Sequence, residues 1–411
     1  MKSLSKVLEF FLISLLIISC SKNEGNIFKP GNINLTLKQQ SIIQNTNDFG
    51  IRLFKGLNNT EGNVNLFISP LSISLALGMA YNGSAGTTKT AFEATLGYAG
   101  LNQNEINSTY KTLLDYFPTC DNKVKLDIAN SIWYRQDFPV LQSFIDTTKK
   151  YFYAQVTSLD FNDPFAKDII NKWVSDNTNH KIPTIIDEIS SDNVMFLINA
   201  VYFKGLFKMA FDTSKTLDYP FKLSDGTTKQ VLMMNQKASH LYFENSVFSS
   251  VELPYSNGKF NMEIFVPKDG STVEDIINQL TVPAWNNWLS SYAMKQEVIV
   301  NLPKFKFSYD KTLNNSLSDL GLGIAFTRSA DFTNINPGGK LLISKVQHKT
   351  FVEVNEDGTE AAAVTSVGIS TTSIGGGNQF IFTVDRPFLF MISEKDSKSI
   401  LFIGKVVEPA Y

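Results

Sequence analysis

An α+β fold is predicted by three observations on the 411-residue sequence. Apolar residues at helical spacing cluster early in the chain. Strand-like alternation dominates the later part, and no proline- or glycine-rich linker divides residues 42–411. Helices gathered before strands argue against an alternating α/β sheet. The unbroken body argues for one large domain, where ~100–200 residues per domain would give two or three.

At the N-terminus, Lys2 and Lys6 precede an apolar run from Phe10 to Ile18, broken only by Ser14. The run is shorter than the ~20 residues of a spanning helix and has the length of a signal-peptide core. It ends Ile17-Ile18-Ser19-Cys20, which resembles the bacterial lipoprotein box, where the thiol is lipidated and the peptide is cut just before it. Residues 1–19 are therefore expected to be a lipoprotein signal peptide, with Cys20 the lipidation site. Residues 20–41, polar with Pro30, Gly31 and several asparagines, read as a tether. Ser21-Lys22-Asn23-Glu24 is loosely similar to a Lys-plus-acid export signal of some Gram-negative bacteria. The expected location is outside the cytoplasm, lipid-anchored at the outer membrane or cell surface, or extracellular. Membrane contact is expected only through that anchor.

Ile42 to Leu57 carries apolar residues at helical spacing, and so does Phe165 to Val174, where Phe165, Ile169, Trp173, Ile170 and Val174 are expected on one face. Pro164 suits a first turn, and Pro183 lies beyond the end. Asn261 to Val266 alternates and stops at Pro267. Val298, Val300 and Leu302 alternate, as do Phe305, Phe307 and Tyr309. Lys340 to Val354, Phe380 to Ser393 and Ile400 to Val407 are rich in β-branched and aromatic residues and read as strands. The 32 phenylalanines point to an aromatic, strand-containing core.

Composition excludes several functions. A net charge of −2 lacks the basic field of a nucleic-acid binder. Two cysteines cannot form a disulfide scaffold, and with Cys20 lipidated Cys120 is a free, packed thiol. Three scattered histidines, His180, His240 and His348, have no metal-ligand spacing, so neither a metal nor a cofactor is expected. Asn82-Gly83-Ser84-Ala85-Gly86 fails as a nucleophile elbow because Asn82 stands where glycine is required. Gly375-Gly376-Gly377 has no following lysine and marks an exposed loop rather than a phosphate cradle. No nucleophile–base signature points to an enzyme.

The informative stretch runs Glu356-Asp357-Gly358-Thr359-Glu360-Ala361-Ala362-Ala363-Val364-Thr365-Ser366, between strand-like segments. It resembles the hinge of the serpins, a family of protease inhibitors. Asn65 to Ile73, Asn199 to Gly205, Glu252-Leu253-Pro254-Tyr255, Leu302-Pro303-Lys304-Phe305, Ala330-Asp331-Phe332, Asp385-Arg386-Pro387-Phe388 and Phe402 to Val406 recur at the family's stations in order. The resemblance implies helices packed around a large central sheet A, two further sheets, and an exposed reactive-centre loop at about residues 356–380.

It also implies a suicide-substrate mechanism, in which cleavage of the loop drives its insertion into sheet A and traps the target serine protease covalently. As a strand, the loop would turn Thr359, Ala361, Ala363, Thr365, Val367 and Ile369 to one face, a set with no charge, proline or aromatic. Counting from Glu356 puts the scissile bond at Thr372–Ser373, with Thr371, Ile369 and Ile374 as rival sites. None is a cation, so an elastase-like or subtilisin-like target is expected rather than a trypsin-like one. Ser69, Ser72, Asn199 and His348 match the shutter under sheet A, and Lys304 with Glu356 the breach at its top. Phe207 stands where the family usually has tryptophan. A monomer is expected, and the alternative is a non-inhibitory serpin acting as a binding or carrier module.

Overall fold

A computed structural model describes residues 29–339, 341–359 and 380–411. Its helices are α1 (Leu37–Glu61), α2 (Pro70–Gly83), α3 (Gly86–Leu96), α4 (Gln103–Cys120), α5 (Gln142–Phe152), α6 (Ala166–Asn177), α7 (Val273–Gln279) and α8 (Val282–Ser291), followed by short helical turns over 314–326. Its strands are β1 (Leu66–Ile68), β2 (Val124–Arg135), β3 (Gln155–Leu159), β4 (Met195–Leu206), β5 (Leu217–Lys222), β6 (Thr228–Glu244), β7 (Phe248–Pro254), β8 (Phe260–Pro267), β9 (Ala293–Pro303), β10 (Phe305–Thr312), β11 (Gln347–Asn355), β12 (Gly358–Thr359), β13 (Ile381–Thr383), β14 (Phe388–Glu394) and β15 (Ser399–Val406).

Two sheets result. The first has the order β10-β11-β12-β4-β2-β3. The second runs β1-β15-β14-β8-β7-β6-β9-β13, with β5 also on β6. The two further sheets expected beside sheet A are stitched together by the 17-residue β6. β6 pairs with β5 over Thr228 to Met233, with β9 over Met233 to Tyr242 and with β7 over Leu241 to Glu244, and its register on β9 shifts between Ala238 and His240. The sheets meet through aromatic side chains. Phe203 of β4 lies 6.0 Å from Phe260 and 6.1 Å from Phe402, while Phe67 stacks on Phe402 at 4.9 Å and on Phe390 at 5.6 Å. Such pairs add roughly 0.5–1.5 kcal/mol each beyond the area they bury.

Three segment readings are corrected. Strand pairing begins at Gln347, so 341–346 is not strand. Phe380 to Ser393 divides into β13 and β14 around Asp385-Arg386-Pro387, where proline cannot donate to a ladder. In α6, Ile170 and Val174 are buried, but Phe165 is 66% and Ile169 42% exposed. The helix lies flat on β2 and β4 and covers them with one stripe, against Trp133, Ile182, Ile185 and Ile198. The helical reading of 42–57 is met by α1, which starts earlier, at Leu37, and takes in the last tether residues. Thr36 and Gln39 form its capping box.

Helix α1 crosses α2 closely enough that a Cβ on Gly50 would lie 2.3 Å from Pro70 Cβ, whereas Gly56, two turns on, has nothing within 4 Å. In a helix Gly→Ala gains about 1 kcal/mol of propensity, but overpacking costs typically 1–3 kcal/mol. Gly56→Ala should therefore raise the thermal midpoint and Gly50→Ala lower it, in matched thermal unfolding curves.

Candidate functional site

Strand β12 holds Gly358 and Thr359, two of the residues expected at the hinge. Val354 pairs with Thr359 and Asn355 with Gly358 on one side, and Gly358 pairs with Leu206 and Thr359 with Gly205 on the other. Both pairings are antiparallel, so β11 and β4 run parallel with the hinge between their ends. No ladder joins β4 directly to β11 among the described residues. The exposed loop expected over 356–380 is thus corrected at Gly358 and Thr359, which are already seated in the sheet. Glu360, Ala361, Ala362, Ala363, Val364, Thr365, Ile369, Thr371, Thr372, Ser373 and Ile374 lie outside the described residues, as does Cys20.

Gly358 has φ +152°, and a Cβ there would lie 2.1 Å from the Gly205 carbonyl oxygen. Only glycine fits so close an approach. Thr359 is buried, in line with its place in the inward set, and its hydroxyl meets the Tyr255 hydroxyl at 2.5 Å. Tyr255 in turn stacks on Phe207 with centroids 5.1 Å apart. Phe207 donates its N–H to the Asp357 carbonyl at 2.8 Å, and Phe211 donates likewise to the Glu356 carbonyl at 2.8 Å. The phenyl ring at 207 thus packs under the hinge without an indole donor.

Glu356 and Lys304 do meet, with Nζ 2.9 Å from Oε2. Thr216 donates to Oε1 at 2.7 Å, and the Lys304 ammonium sits 4.2 Å from the Tyr411 ring centroid. Burial opposes ionisation of Glu356, but the Lys304 ammonium and the Thr216 hydroxyl outweigh it and hold the carboxyl below its usual range.

The four residues expected at the shutter, Ser69, Ser72, Asn199 and His348, converge. Ser69 caps α2, its side chain accepting the Ser72 N–H at 3.2 Å. The Ser72 hydroxyl donates to Asn199 Oδ1. Asn199 donates to Asn130 Oδ1 at 2.6 Å, and Asn130 donates to the Phe152 carbonyl at 2.7 Å. The Ser69 N–H donates to His348 Nε2 at 3.2 Å. The chain links α2, β4, β2 and β11, the helix and strands on both sides of the hinge line. Sequence reasoning missed Asn130, Thr216, Tyr411 and the part played by Tyr255. No local pattern marks them, because each partner lies tens to hundreds of residues away.

Three comparisons bear on this arrangement. A family model described as "Serpin (serine protease inhibitor)" matches residues 44–409. The chain belongs to the serpin family. Mouse leukocyte elastase inhibitor A is 34% identical over 373 residues, covering 88% of this chain and 97% of that protein. An uncharacterised serpin-like protein of the archaeon Methanosarcina acetivorans is 32% identical over 381 residues, covering 92% and 88%. Among solved structures, the thermophilic serpin tengpin in its native state superposes with a TM-score of 0.83 at 32% identity, over 92% of this chain and 96% of that one. Human thyroxine-binding globulin with its hormone superposes with a TM-score of 0.82 at 28% identity, over 91% and 100%.

Burial pushes His348 down to about 3 from 6.5. Its folded value lies below its unfolded one, so the unfolded chain takes up a proton that the folded serpin refuses. Stability is full above pH 6.5 and is lost as pH falls toward 3, at up to about 1.4 kcal/mol per unit. Moving from pH 6.5 to pH 5 should cost about 2 kcal/mol through this group. In thermal unfolding at the two pH values, His348→Gln should show a smaller loss than wild type.

Proposed function

We propose that this serpin is a suicide-substrate inhibitor of an elastase-like or subtilisin-like serine protease, cleaved at Thr372–Ser373. The observation that carries this reading is β12, the hinge seated antiparallel between two parallel strands with Thr359 buried. The protease serine attacks the Thr372 carbonyl, an acyl ester forms, and the amine of Ser373 leaves. The freed segment then extends β12 downward between β4 and β11. A strand of about ten residues would form about ten or more backbone hydrogen bonds at roughly 1 kcal/mol net each. Insertion must outrun hydrolysis of the ester, so small inward residues and a ready hinge favour trapping. Thr372, small and β-branched, fits a shallow specificity pocket better than an acidic one. The similarity to leukocyte elastase inhibitors supports the same target class.

A carrier role is the second reading, favoured by the superposition on thyroxine-binding globulin. The hinge separates the two. Incubation with elastase, subtilisin and trypsin should give a complex that survives denaturing gels with the first two. Thr359→Arg, which puts a charge where the Tyr255 hydroxyl now meets Thr359, should turn inhibitor into substrate, with cleavage kept and complex yield falling at least about tenfold. An unchanged yield would mean that the hinge does not insert.

The same reading makes the uncut protein kinetically rather than thermodynamically stable. Cleavage within 369–374 should raise the unfolding temperature sharply. A carrier that does not insert its loop would melt alike before and after the cut.

We also propose that the mature serpin is tethered outside the cytoplasm through lipidated Cys20, which would place the inhibitor where foreign proteases arrive. Support comes from residue type and position in the sequence. Inside the 20–41 segment, the Gly31 N–H already rests on the body, donating to the Thr119 carbonyl at 2.8 Å. Cys20→Ala should abolish lipid labelling and release the protein from membranes, while inhibition by the purified domain persists.

A further inference from the structure

After β15 the chain forms a strap over the first sheet. Asn65 Oδ1 accepts the N–H groups of Val407 and Glu408 at 2.8 and 3.1 Å, and Asn65 Nδ2 donates to the Glu408 carbonyl at 2.8 Å. Lys229 pairs with the Glu408 carboxylate at 2.8 Å. Further along, the Ala410 carbonyl accepts the Lys306 N–H at 2.7 Å, so the strap covers part of β10, the edge strand of that sheet.

From this edge Tyr411 reaches across to β11. Its hydroxyl donates to Glu353 Oε1 at 2.9 Å and accepts from Asn355 Nδ2 at 3.5 Å. The Lys304 ammonium lies 4.2 Å from its ring centroid and 2.9 Å from Glu356 Oε2. One side chain thus links Glu353 in β11 to the ion pair at the entry to β12. Glu353 also meets Lys306 at 3.3 Å and Lys181 at 3.7 Å. Burial opposes its ionisation, but the Tyr411 hydroxyl and these cations outweigh it, so the hydroxyl meets a carboxylate and the hydrogen bond is charge-assisted. The Lys304 and Glu356 side chains are 14% and 10% exposed, whereas Tyr411 is 52% exposed. A residue so open fills no core, and its contacts go to the ion pair and to β11.

We infer that Tyr411 is a positioning residue that latches β11 at the hinge end, its ring keeping water from the Lys304–Glu356 pair and its hydroxyl holding Glu353. Cation–π attraction grows as the cation loses water, so ring and ion pair reinforce each other. A strand extending β12 enters beside this corner, and a held β11 slows its entry before the loop is cut. That consequence rests on the inhibitory reading, whereas the latch itself does not.

Hydrogen–deuterium exchange of the whole uncut protein reads the latch. Tyr411→Ala should speed exchange of amides within 350–359 about tenfold, a local opening easier by about 1.4 kcal/mol, with β2 and β14 unchanged. Tyr411→Phe, which keeps the ring and loses the hydroxyl, should fall between. Wild-type exchange in Tyr411→Ala would overturn the latch, and so would acceleration spread evenly over all strands, the mark of general loosening. On storage, uncut Tyr411→Ala should lose its capacity to form the covalent protease complex several-fold faster than wild type. Equal rates of loss would overturn the latch's part in insertion. A wild type that traps no protease, with exchange accelerated in Tyr411→Ala, would remove the inhibitory reading and leave the latch standing.

Discussion

Backbone N–H and C=O groups of a buried sheet must find partners, and that requirement governs the line between β4 and β11. Each strand is fully engaged on its outer side, β4 with β2 over Met195 to Gly205 and β11 with β10 over Gln347 to Val354. On the inner side they run parallel, and at the hinge end β12 pairs with both. A strand arriving from β12 is antiparallel to each neighbour, the arrangement that needs no crossover and gives the better-aligned hydrogen bonds. The polarity of the chain at Gly358 and Thr359 therefore sets both where a further strand can enter and which way it must run.

Polar contacts surround this line. The Lys304–Glu356 pair and the Thr216 hydroxyl hold the strand that leads into the hinge. The Ser72–Asn199–Asn130 chain fastens α2 to β4 and β2, while His348 ties β11 to the cap of the same helix. The first of these is an ion pair, Lys304 with Glu356, and the contacts of Ser72, Asn199, Asn130 and His348 join neutral groups. Apolar packing lies elsewhere, in the aromatic layer where Phe67, Phe203, Phe390 and Phe402 join the two sheets. The polar seam thus lies over an aromatic base that joins the two sheets.

Phe207 connects the seam to the rest of the molecule. Its N–H holds the Asp357 carbonyl, its ring stacks on Tyr255, and it forms part of the wall of a cleft lined by Gln236, His240 and Asn261. Dispersion and stacking replace the donor that an indole would bring, so register at this corner depends on backbone hydrogen bonds and on the Tyr255–Thr359 hydroxyl contact.

Resemblance to a known family pointed to the hinge, while the class of fold and the order of segments were legible along the chain. Those are local properties: the spacing around Ile42 to Leu57 is a helix, Val298 to Leu302 alternates, and Gly358 followed by small residues can enter a sheet. The sequence also picked out Ser69, Ser72, Asn199, His348, Lys304 and Glu356 through their resemblance to family stations, and these come together in two groups. Folding, not local pattern, seats Thr359 in the sheet, brings Asn130 and Thr216 into the two networks and lets β6 join two sheets into one. It alone decided that Phe165 and Ile169 face solvent, and that β8, whose alternation implies one wet face, is buried on both. Periodicity fixes which residues share a face, whereas coverage of that face, and the partner of a buried polar atom, depend on chain far away in sequence.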